Sequence, residues 1–416
     1  MNDKKLSNRE LALERARVLK ATIQEYLDCE KEIETGFRMH ERSQVNKEKI
    51  LNYFNASNED WNNWGWQMKN RISDPGILAH FISFNEQEME ELNILSKQFR
   101  WAISPYYLSL IDFSNYRNSP VFMQAVPDIR EAFDESGSSD PMAETQTNPA
   151  STITRRYPDR LIINVTNQCA MYCRHCQRRR NFGEKDRHVT RQEMEESLAY
   201  IRDNEEIRDV LITGGDALML SDNTIDWLLG ELDKIEHVEI KRLGTRTLVT
   251  LPQRITDSLC EILEKHAPLY INTQFNSPME VTPEAKEACD KLVKAGVLLG
   301  NQAVLLKGIN DNEHIMKKLN HELLKIRIRP YYIFHAKEVK GTSHFKTRIE
   351  TGISIMEKLR GYTSGLAIPT YIVNAPEGYG KTPMLPNYLV SMGDDEVTLR
   401  TWENRVIKYP NKLVGE

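Results

Sequence analysis

Between residues 161 and 335, short apolar runs alternate regularly with longer amphipathic stretches, and this alternation restricts the possible folds more than any other feature. The predicted strands are Leu161–Val165, Asp209–Thr213, Glu239–Leu243, Tyr270–Phe275, Leu298–Leu305 and Pro330–His335. The predicted helices between them are Arg191–Arg202, Thr224–Ile235, Asp257–Lys265, Pro283–Lys294 and Glu313–Lys325. Strands separated by helices imply right-handed crossovers and a parallel sheet. Six such units predict an α/β fold, a partial (β/α)6 barrel that is open on one side.

Three cysteines follow the first predicted strand, in the stretch NQCAMYCRHCQRRR. Cys169, Cys173 and Cys176 have C-x3-C-x2-C spacing, and thiolates suit iron–sulfur clusters and zinc. Three thiolates can hold three irons of a cubane and leave the fourth iron open to a small molecule. Zinc needs a fourth ligand, and His175 is the only close candidate because the sequence has no second CxxC. Buried apolar cysteines are the other alternative, and the spacing favours a cluster.

Other polar residues are predicted at the same edge of the barrel, where parallel α/β folds place their chemistry. Gly214, Gly215 and Asp216 follow the second predicted strand. The glycines would let a ligand lie against the backbone, and the carboxylate could receive an ammonium. Three more candidates lie after or on the next strands: Arg246, Gln274 and Gln302. The alternative for each is a polar group that satisfies loop backbone.

A glycine-rich stretch near the end of the chain, NAPEGYGKTP, contains a Gly-Lys-Thr. A phosphate-binding P-loop needs a glycine five residues before Gly380 and a helix after the lysine. Neither requirement is met, because Ala375 stands at the glycine position and Pro383 disfavours a helix after the lysine. Lys381 is then either an exposed surface lysine or a lysine on a glycine-rich loop that reaches a cofactor aldehyde.

The composition excludes several classes of protein. A net charge of −5 over 416 residues argues against a nucleic-acid partner, which would require a basic excess. Six cysteines, three of them clustered, do not form a disulfide framework and suit a reducing compartment. The charged N-terminus does not resemble a signal peptide, and no apolar run reaches membrane-spanning length. We therefore predict a cytoplasmic protein without a membrane partner.

The flanking sequence divides the chain into regions. One long helix is predicted from Ser7 to Ile33, with a weak apolar stripe that could contact another subunit. Trp61, Trp64 and Trp66 are predicted to pack in a core or an interface. The predicted regions are a helical region at 1–134, a candidate for oligomerisation; a polar linker or crossing segment at 135–154; the barrel at 155–375; and a C-terminal segment with Lys381 at 376–416.

Together these motifs resemble the lysine 2,3-aminomutase family, radical S-adenosylmethionine (SAM) enzymes that also use pyridoxal phosphate (PLP). The resemblance runs from about Trp61 to about Leu385, through DWNNWGWQMKNRI, SPYYLSLID, RRYPDR, CAMYCRHC, GGDALM, LPQRIT, GNQAVLLKGIND, RPYYIF and GKTP. It implies a TIM-like radical SAM partial barrel with a helical N-terminal region and a short C-terminal segment. It further implies an amino acid substrate, an electron donor of the flavodoxin or ferredoxin type, and a homo-oligomer.

The resemblance also implies roles for individual residues. The three cysteines would hold a [4Fe–4S] cluster, and Lys381 would bind PLP covalently. Arg178 matches the arginine that binds the substrate α-carboxylate, a task suited to a guanidinium. The residues implied to contact SAM are Gly214, Gly215, Asp216, Gln274 and Gln302, and those implied to contact PLP, besides the lysine, are Arg156, Tyr157 and Arg160.

Two departures from the lysine enzyme bear on the substrate. Lys337 and Asn374 stand where that enzyme has two aspartates for the distal ammonium of lysine. Without them, a substrate ammonium would be left unpaired at a cost of roughly 3–5 kcal/mol, whereas a distal carboxylate would pair with Lys337 and accept a hydrogen bond from Asn374. We therefore predict transfer of the α-amino group of L-glutamate to C3, glutamate being preferred to aspartate from the resemblance. The alternatives are lysine itself, a PLP-independent radical SAM enzyme that modifies a peptide, and an iron–sulfur electron carrier without catalysis.

Two further departures concern the cofactors. Gln274 stands where the lysine enzyme has a histidine. No cysteine follows Cys289, so the cysteine-rich zinc segment of the lysine enzyme is missing and we predict no zinc.

Overall fold

The computed structural model describes residues 6–412, so the first five residues of the predicted N-terminal region and the last four of the predicted C-terminal segment lie outside it. Ten α-helices precede the sheet within these residues: α1 (Asn8–Ala21), α2 (Gln24–Cys29), α3 (His40–Phe54), α4 (Asn58–Asn62), α5 (Trp64–Lys69), α6 (Pro75–Leu78), α7 (Glu86–Gln98), α8 (Pro105–Ser109), α9 (Pro120–Ala125) and α10 (Arg130–Phe133). The prediction of one helix over Ser7–Ile33 is wrong. The helix is interrupted at Thr22, whose hydroxyl donates to the Leu19 carbonyl at 2.7 Å, because threonine side chains compete for backbone groups.

The three tryptophans pack as predicted. Trp61 is buried, and its ring centroid lies 6.4 Å from that of the half-buried Trp66. The guanidinium of Arg254 lies 4.7 Å from the ring centroid of Trp64. Arg254 belongs to the barrel, so the Trp64 ring joins the helical region to it.

The barrel is a curved nine-stranded sheet whose strands follow in chain order. Its elements are β1 (Ile153–Thr154), β2 (Arg160–Asn164), α11 (Arg191–Arg202), β3 (Asp209–Thr213), α12 (Asp222–Asp233), β4 (Ile240–Gly244), α13 (Thr247–Thr250), α14 (Asp257–Lys265), β5 (Leu269–Thr273), α15 (Pro283–Lys294), β6 (Leu298–Leu305), α16 (Glu313–Lys325), β7 (Arg329–His335), α17 (Ile349–Leu359), β8 (Thr370–Ala375) and β9 (Gly380–Pro383). Strands β2 to β8 are parallel, whereas β1 and β9 pair antiparallel at the two ends. The predicted open α/β barrel is thus confirmed, with one parallel strand more than predicted.

The strands alternate between two environments. In β2, Leu161 and Ile163 are buried, whereas Arg160, Ile162 and Asn164 are half-buried. Half-buried side chains of β2 and β4, such as Arg160 and Arg242, line a cavity inside the barrel. This alternation follows from the two-residue period of a strand, and it gives the barrel a polar interior.

The C-terminal residues form a separate antiparallel sheet of three strands, β10 (Leu389–Met392), β11 (Glu396–Arg400) and β12 (Val406–Pro410). Most of its residues are exposed or half-buried. Within residues 6–412, none of the helices is long and apolar enough to cross a membrane.

Candidate active site

A cavity of about 330 Å³ lies inside the barrel, and residues at the C-terminal ends of several strands, such as Thr213, Gly244 and Thr273, line it. All of the site residues predicted from the sequence line it. They are Arg156, Tyr157, Arg160, Cys169, Cys173, Cys176, Arg178, Gly214, Gly215, Asp216, Arg246, Gln274, Gln302, Lys337, Asn374 and Lys381. The structure therefore brings together residues more than two hundred positions apart, as a single binding site requires.

The cysteine loop connects β2 to α11 and is anchored to the N-terminal helices. Glu131 on α10 is buried and accepts hydrogen bonds from Arg174 at 2.9 Å and Arg179 at 2.6 Å. Asp186, at the end of the loop, accepts from Arg71 at 2.5 Å and from the Tyr172 hydroxyl at 2.6 Å. Charge-assisted bonds of this kind are among the stronger hydrogen bonds of proteins, so the helical region fixes the loop in place.

The cysteine sulfurs have donors suited to a thiolate. Arg246 Nη1 donates to Cys173 Sγ at 2.8 Å, and the Arg178 backbone N–H donates to Cys176 Sγ at 3.4 Å. Burial raises the pKa of Cys176 to about 11 and that of Cys169 well above the usual thiol value. A bound metal must therefore drive deprotonation of these thiols.

The residues fit a [4Fe–4S] cluster, since three thiols and two sulfur-directed donors face one cavity. Across residues 6–412, no group of three His, Cys, Asp or Glu side chains is arranged so that it could hold a single metal ion. A cubane does not need such a group, because each thiolate binds a different iron.

His175 lies between two of the cysteines and contacts Gln274 rather than the thiols. Gln274 Nε2 lies 2.9 Å from His175 Nε2. Burial and the nearby Arg246 lower the pKa of His175 well below its usual value, so the ring is neutral and accepts this bond through Nε2. Gln274 was predicted on the fourth strand, which is wrong: β5 ends at Thr273, and Gln274 is in the loop that follows.

The Gly-Gly-Asp sequence after β3 packs against the cysteine loop. A Cβ atom on Gly214 would collide with the Thr166 carbonyl oxygen, and one on Gly215 with that of Gln168. The buried Asp216 accepts hydrogen bonds from Thr245 Oγ1 at 2.6 Å and from the Arg246 backbone N–H at 2.7 Å. These contacts give the motif a structural role in holding the cluster end of the barrel together, besides the predicted contact with SAM.

Lys381 lies on β9 and not on a loop as predicted. β9 pairs antiparallel with β8, which places Lys381 opposite Asn374. Lys381 Nζ lies 4.8 Å from the ring centroid of Tyr332. Burial, with Arg242 and Arg160 nearby, lowers the pKa of Lys381 to about 8. An amine that loses its proton near neutral pH is a competent nucleophile toward an aldehyde.

The surroundings of Lys381 fit PLP, which carries an aldehyde and a phosphate. Arg156 and Arg160 line the same cavity, and the Arg160 guanidinium lies 4.0 Å from the ring centroid of Tyr157. Gly380 has a φ of +101° and lies against Tyr157, where a Cβ would sit 3.4 Å from the ring. Guanidinium groups are suited to a phosphate.

Lys337 and Asn374 present donors that the protein does not fully use. Lys337 Nζ donates to Gln177 Oε1, and no carboxylate of residues 6–412 forms a salt bridge with it. Burial, with Arg156 and Arg178 nearby, lowers the pKa of Lys337 to about 7. Asn374 Nδ2 is buried and has no hydrogen-bond partner in the described chain. Sequence reasoning missed Gln177, although its position directly after Cys176 was a usable signal.

The open parallel barrel, with three cysteines after its first parallel strand and Gly-Gly-Asp after its second, defines a radical SAM enzyme. In agreement, the Radical SAM superfamily model matches residues 163–319.

The similarities to known proteins identify the family. The Lysine-2,3-aminomutase model matches residues 356–413. The chain is 58% identical over 402 residues to glutamate 2,3-aminomutase from Clostridioides difficile, covering 97% of this chain and 95% of that one. It is 44% identical to L-lysine 2,3-aminomutase from Methanococcus maripaludis, covering 88% and 87% of the two chains. It is 46% identical to the protein of that name from Fusobacterium nucleatum, covering 85% and 84%.

The chain belongs to the lysine 2,3-aminomutase family. It is therefore an isomerase of the aminomutase class. Its family uses a [4Fe–4S] cluster, SAM and PLP, and the residues around the cavity fit all three.

Proposed function

We propose that this protein transfers the α-amino group of L-glutamate to C3 to give β-glutamate. The observation that carries the proposal is Lys337, which has no carboxylate partner among residues 6–412, in the same cavity as Asn374 Nδ2, which has no hydrogen-bond partner among those residues. A distal carboxylate would gain an ion pair and a hydrogen bond here, whereas a distal ammonium would meet a like charge. The relative from Clostridioides difficile, 58% identical and named glutamate 2,3-aminomutase, supports the same substrate.

The protein side chains position the substrate at both of its ends. Arg178 holds the α-carboxylate, while Lys337 and Asn374 hold the distal carboxylate, so C2 and C3 are held between two fixed points. Such two-point attachment converts an unlikely encounter into an oriented one. When bound, the cluster with SAM supplies a hydrogen-abstracting radical and PLP supplies stabilisation of the radical on the migrating group.

The remaining cavity residues hold the cofactors. Lys381 binds PLP covalently, and the cysteines bind the cluster. Contacts to PLP come from Arg156, Tyr157 and Arg160, and contacts to SAM from Gly214, Gly215, Asp216, Gln274 and Gln302. An anaerobic titration with SAM, followed by the change in the cluster's electron paramagnetic resonance (EPR) signal, tests the last group; an unchanged signal in the wild-type protein contradicts it.

The setting in the cell and the domain division belong to the same proposal. The protein works in the cytoplasm as a homo-oligomer, without nucleic-acid or membrane partners, and receives electrons from a flavodoxin- or ferredoxin-type donor. The chain divides into regions 1–134, 135–154, 155–375 and 376–416. Light scattering tests the oligomer, electron transfer from each donor class tests the reductant, and limited proteolysis tests the region boundaries.

A second candidate substrate is L-lysine, because the relatives from Methanococcus maripaludis and Fusobacterium nucleatum are named for it. The deciding experiment is anaerobic reconstitution with iron, sulfide, PLP, SAM and a reductant, followed by L-glutamate and L-lysine together. Proton NMR is expected to show β-glutamate without β-lysine. β-Lysine alone, or cleavage of SAM with neither product, would overturn the proposal.

A further inference from the structure

Glu144 belongs to the polar segment 135–154, yet its carboxylate contacts three guanidiniums at the cavity. It accepts from Arg178 Nε at 3.1 and 3.2 Å and from Arg178 Nη2 at 2.9 Å. It also accepts from Arg156 Nη2 at 2.9 Å and from Arg180 Nη2 at 2.9 Å. The Glu144 side chain is 7% exposed, so these bonds form with little competition from water.

The group carries an excess of positive charge that faces the cavity. Burial alone would raise the pKa of Glu144, but the three arginines lower it to about 2, so the carboxylate is ionised. Asp140 is the second carboxylate of the group, and it pairs with Arg180 at 3.1 Å. Arg178 and Arg156, which line the cavity, therefore share one carboxylate between them and retain the capacity to bind anions.

The contacts also determine how Arg178 is oriented. Glu144 occupies the edge formed by Nε and Nη2, whereas Nη1 has no hydrogen-bond partner among residues 6–412. Because a guanidinium is planar, two bonds on one edge fix the direction of the remaining N–H groups. Within the described part of the chain, Arg156 forms a side-chain hydrogen bond through Nη2 alone, which leaves its other donors for a ligand.

We propose that Glu144 is a positioning residue that orients Arg178 toward the substrate α-carboxylate and Arg156 toward PLP. This inference rests on the proposed function, from which the roles of the two arginines are taken. Without the Glu144 carboxylate, the guanidiniums of Arg178 and Arg156 repel each other and lose the hydrogen-bond acceptor that they share. Loss of Glu144 then weakens substrate and cofactor binding together, although it touches neither.

The test compares Glu144→Gln with Asp140→Asn, a variant of the same segment. Asp140 pairs with Arg180 and accepts from the Thr145 backbone N–H at 3.1 Å and the Thr145 hydroxyl at 3.3 Å, and it forms no salt bridge with Arg178 or Arg156. In Glu144→Gln, the KM for L-glutamate is expected to rise about tenfold or more, with a smaller change in kcat. The dissociation constant for PLP, measured by absorbance titration of protein freed of PLP, is expected to rise about fivefold. Asp140→Asn is expected to change neither quantity.

Several results would overturn the inference. One is a Glu144→Gln protein with wild-type KM and PLP affinity; another is an equal loss in both variants together with equal falls in melting temperature, which indicates a purely structural anchor. If Glu144→Gln does not fold, Glu144→Asp serves, since it keeps the charge but shortens the reach, and wild-type values in it would also overturn the inference. If the wild-type protein does not convert glutamate, the proposed function fails while the PLP titration still tests Glu144.

Discussion

Two sets of charged residues at the cavity differ in how their charges are balanced: the cysteine loop with its arginine–carboxylate pairs, called here the cysteine end, and Lys337 with Lys381, called here the lysine end. At the cysteine end, Arg246 pairs with the fully buried Glu280 at 2.7 Å and also donates to Gln124 at 2.7 Å. In the lysine end, neither Lys337 nor Lys381 forms a salt bridge with any carboxylate of residues 6–412. Charges without partners are costly in a protein interior, so this end is built for anionic or reactive ligands. The charge of Arg246 is balanced by the protein itself, whereas the charges of Lys337 and Lys381 are left for ligands to balance.

The balance at the cysteine end extends beyond one ion pair. Glu280 also accepts from the Tyr107 hydroxyl at 2.8 Å and from Gln124 Nε2 at 2.9 Å. A satisfied buried network is rigid, and it holds the guanidinium that donates to Cys173 Sγ. Variants at this end should therefore lower stability even without cofactors, whereas variants at the lysine end should change ligand binding first.

The largest effect is expected from Lys381→Ala, which removes the nucleophile of the lysine end. Turnover should fall on the order of 10³-fold or more, because side chains that act in one covalent step are not replaceable. Borohydride treatment followed by mass spectrometry should find the PLP mass on the Lys381 peptide in the wild-type protein and on no peptide of the variant. Lys346→Ala, at a lysine paired with Glu338, is the control and should behave as wild type. Full turnover by Lys381→Ala would contradict the assignment.

Next comes the double variant Lys337→Asp, Asn374→Asp, which reverses the charge of the lysine end. A distal carboxylate would then face two anions, so kcat/KM for L-glutamate should fall by a factor corresponding to about 3–5 kcal/mol. Activity toward L-lysine should exceed that of the wild-type protein. Lys340→Asp, at an exposed lysine three residues away, should leave the ratio of the two activities unchanged. Unaltered preference in the double variant would show that substrate choice is made elsewhere.

A smaller effect is expected from pH on the binding of glutarate, a dicarboxylate without an amine. The pKa of Lys337 is about 7 in the free protein, so above pH 7 the lysine is mostly neutral and must take up a proton to bind the carboxylate. The inhibition constant of glutarate should therefore rise up to about tenfold per pH unit above 7. In Lys337→Arg the guanidinium stays protonated to beyond about pH 12, and the rise should disappear. An equal slope in both proteins would mean that another group is responsible.

The smallest effect concerns stability at the cysteine end. Asp186→Asn weakens charge-assisted bonds to Arg71 and Arg100, so the protein without cofactors should lose on the order of 1–3 kcal/mol of unfolding free energy. Lys337→Met removes an unpaired cation and should cause no comparable loss. Asp203→Asn, at an exposed aspartate, is the control. Denaturant unfolding measures all three, and equal losses in the first two would remove the distinction between the ends.

Long periodic elements were predictable and short ones were not. The helices Arg191–Arg202 and Asp257–Lys265 agree with prediction at both ends, because an N-capping threonine precedes each amphipathic run. The strand Thr370–Ala375, the two-residue β1 and the four-residue β9 were missed. Strands of two and four residues carry too few residues to show a period, and β9 exists because β8 lies beside it. The strand β8 is the exception, because it has six residues and its length does not explain why it was missed.

The candidate site was predictable where the residue types and their spacing in the sequence indicate the chemistry. Three thiols within eight residues indicate a cluster loop in any fold, and replacement of aspartates by Lys337 and Asn374 concerns charge alone. Glu144 was not predictable, because segment 135–154 has the polar composition of a linker. Its importance depends on three arginines that the chain brings to it from elsewhere.

By itself, the sequence determined the fold class, the cluster loop and the family motifs, since period, spacing and residue chemistry are properties of the chain. Only the tertiary structure decided how the four arginines of the stretch RHCQRRR are shared between carboxylates. Glu131 forms salt bridges with Arg174 and Arg179, whereas Glu144 forms salt bridges with Arg178 and Arg180. Four like side chains in seven residues are indistinguishable by type, and their partners depend on the direction in which the folded loop turns each of them.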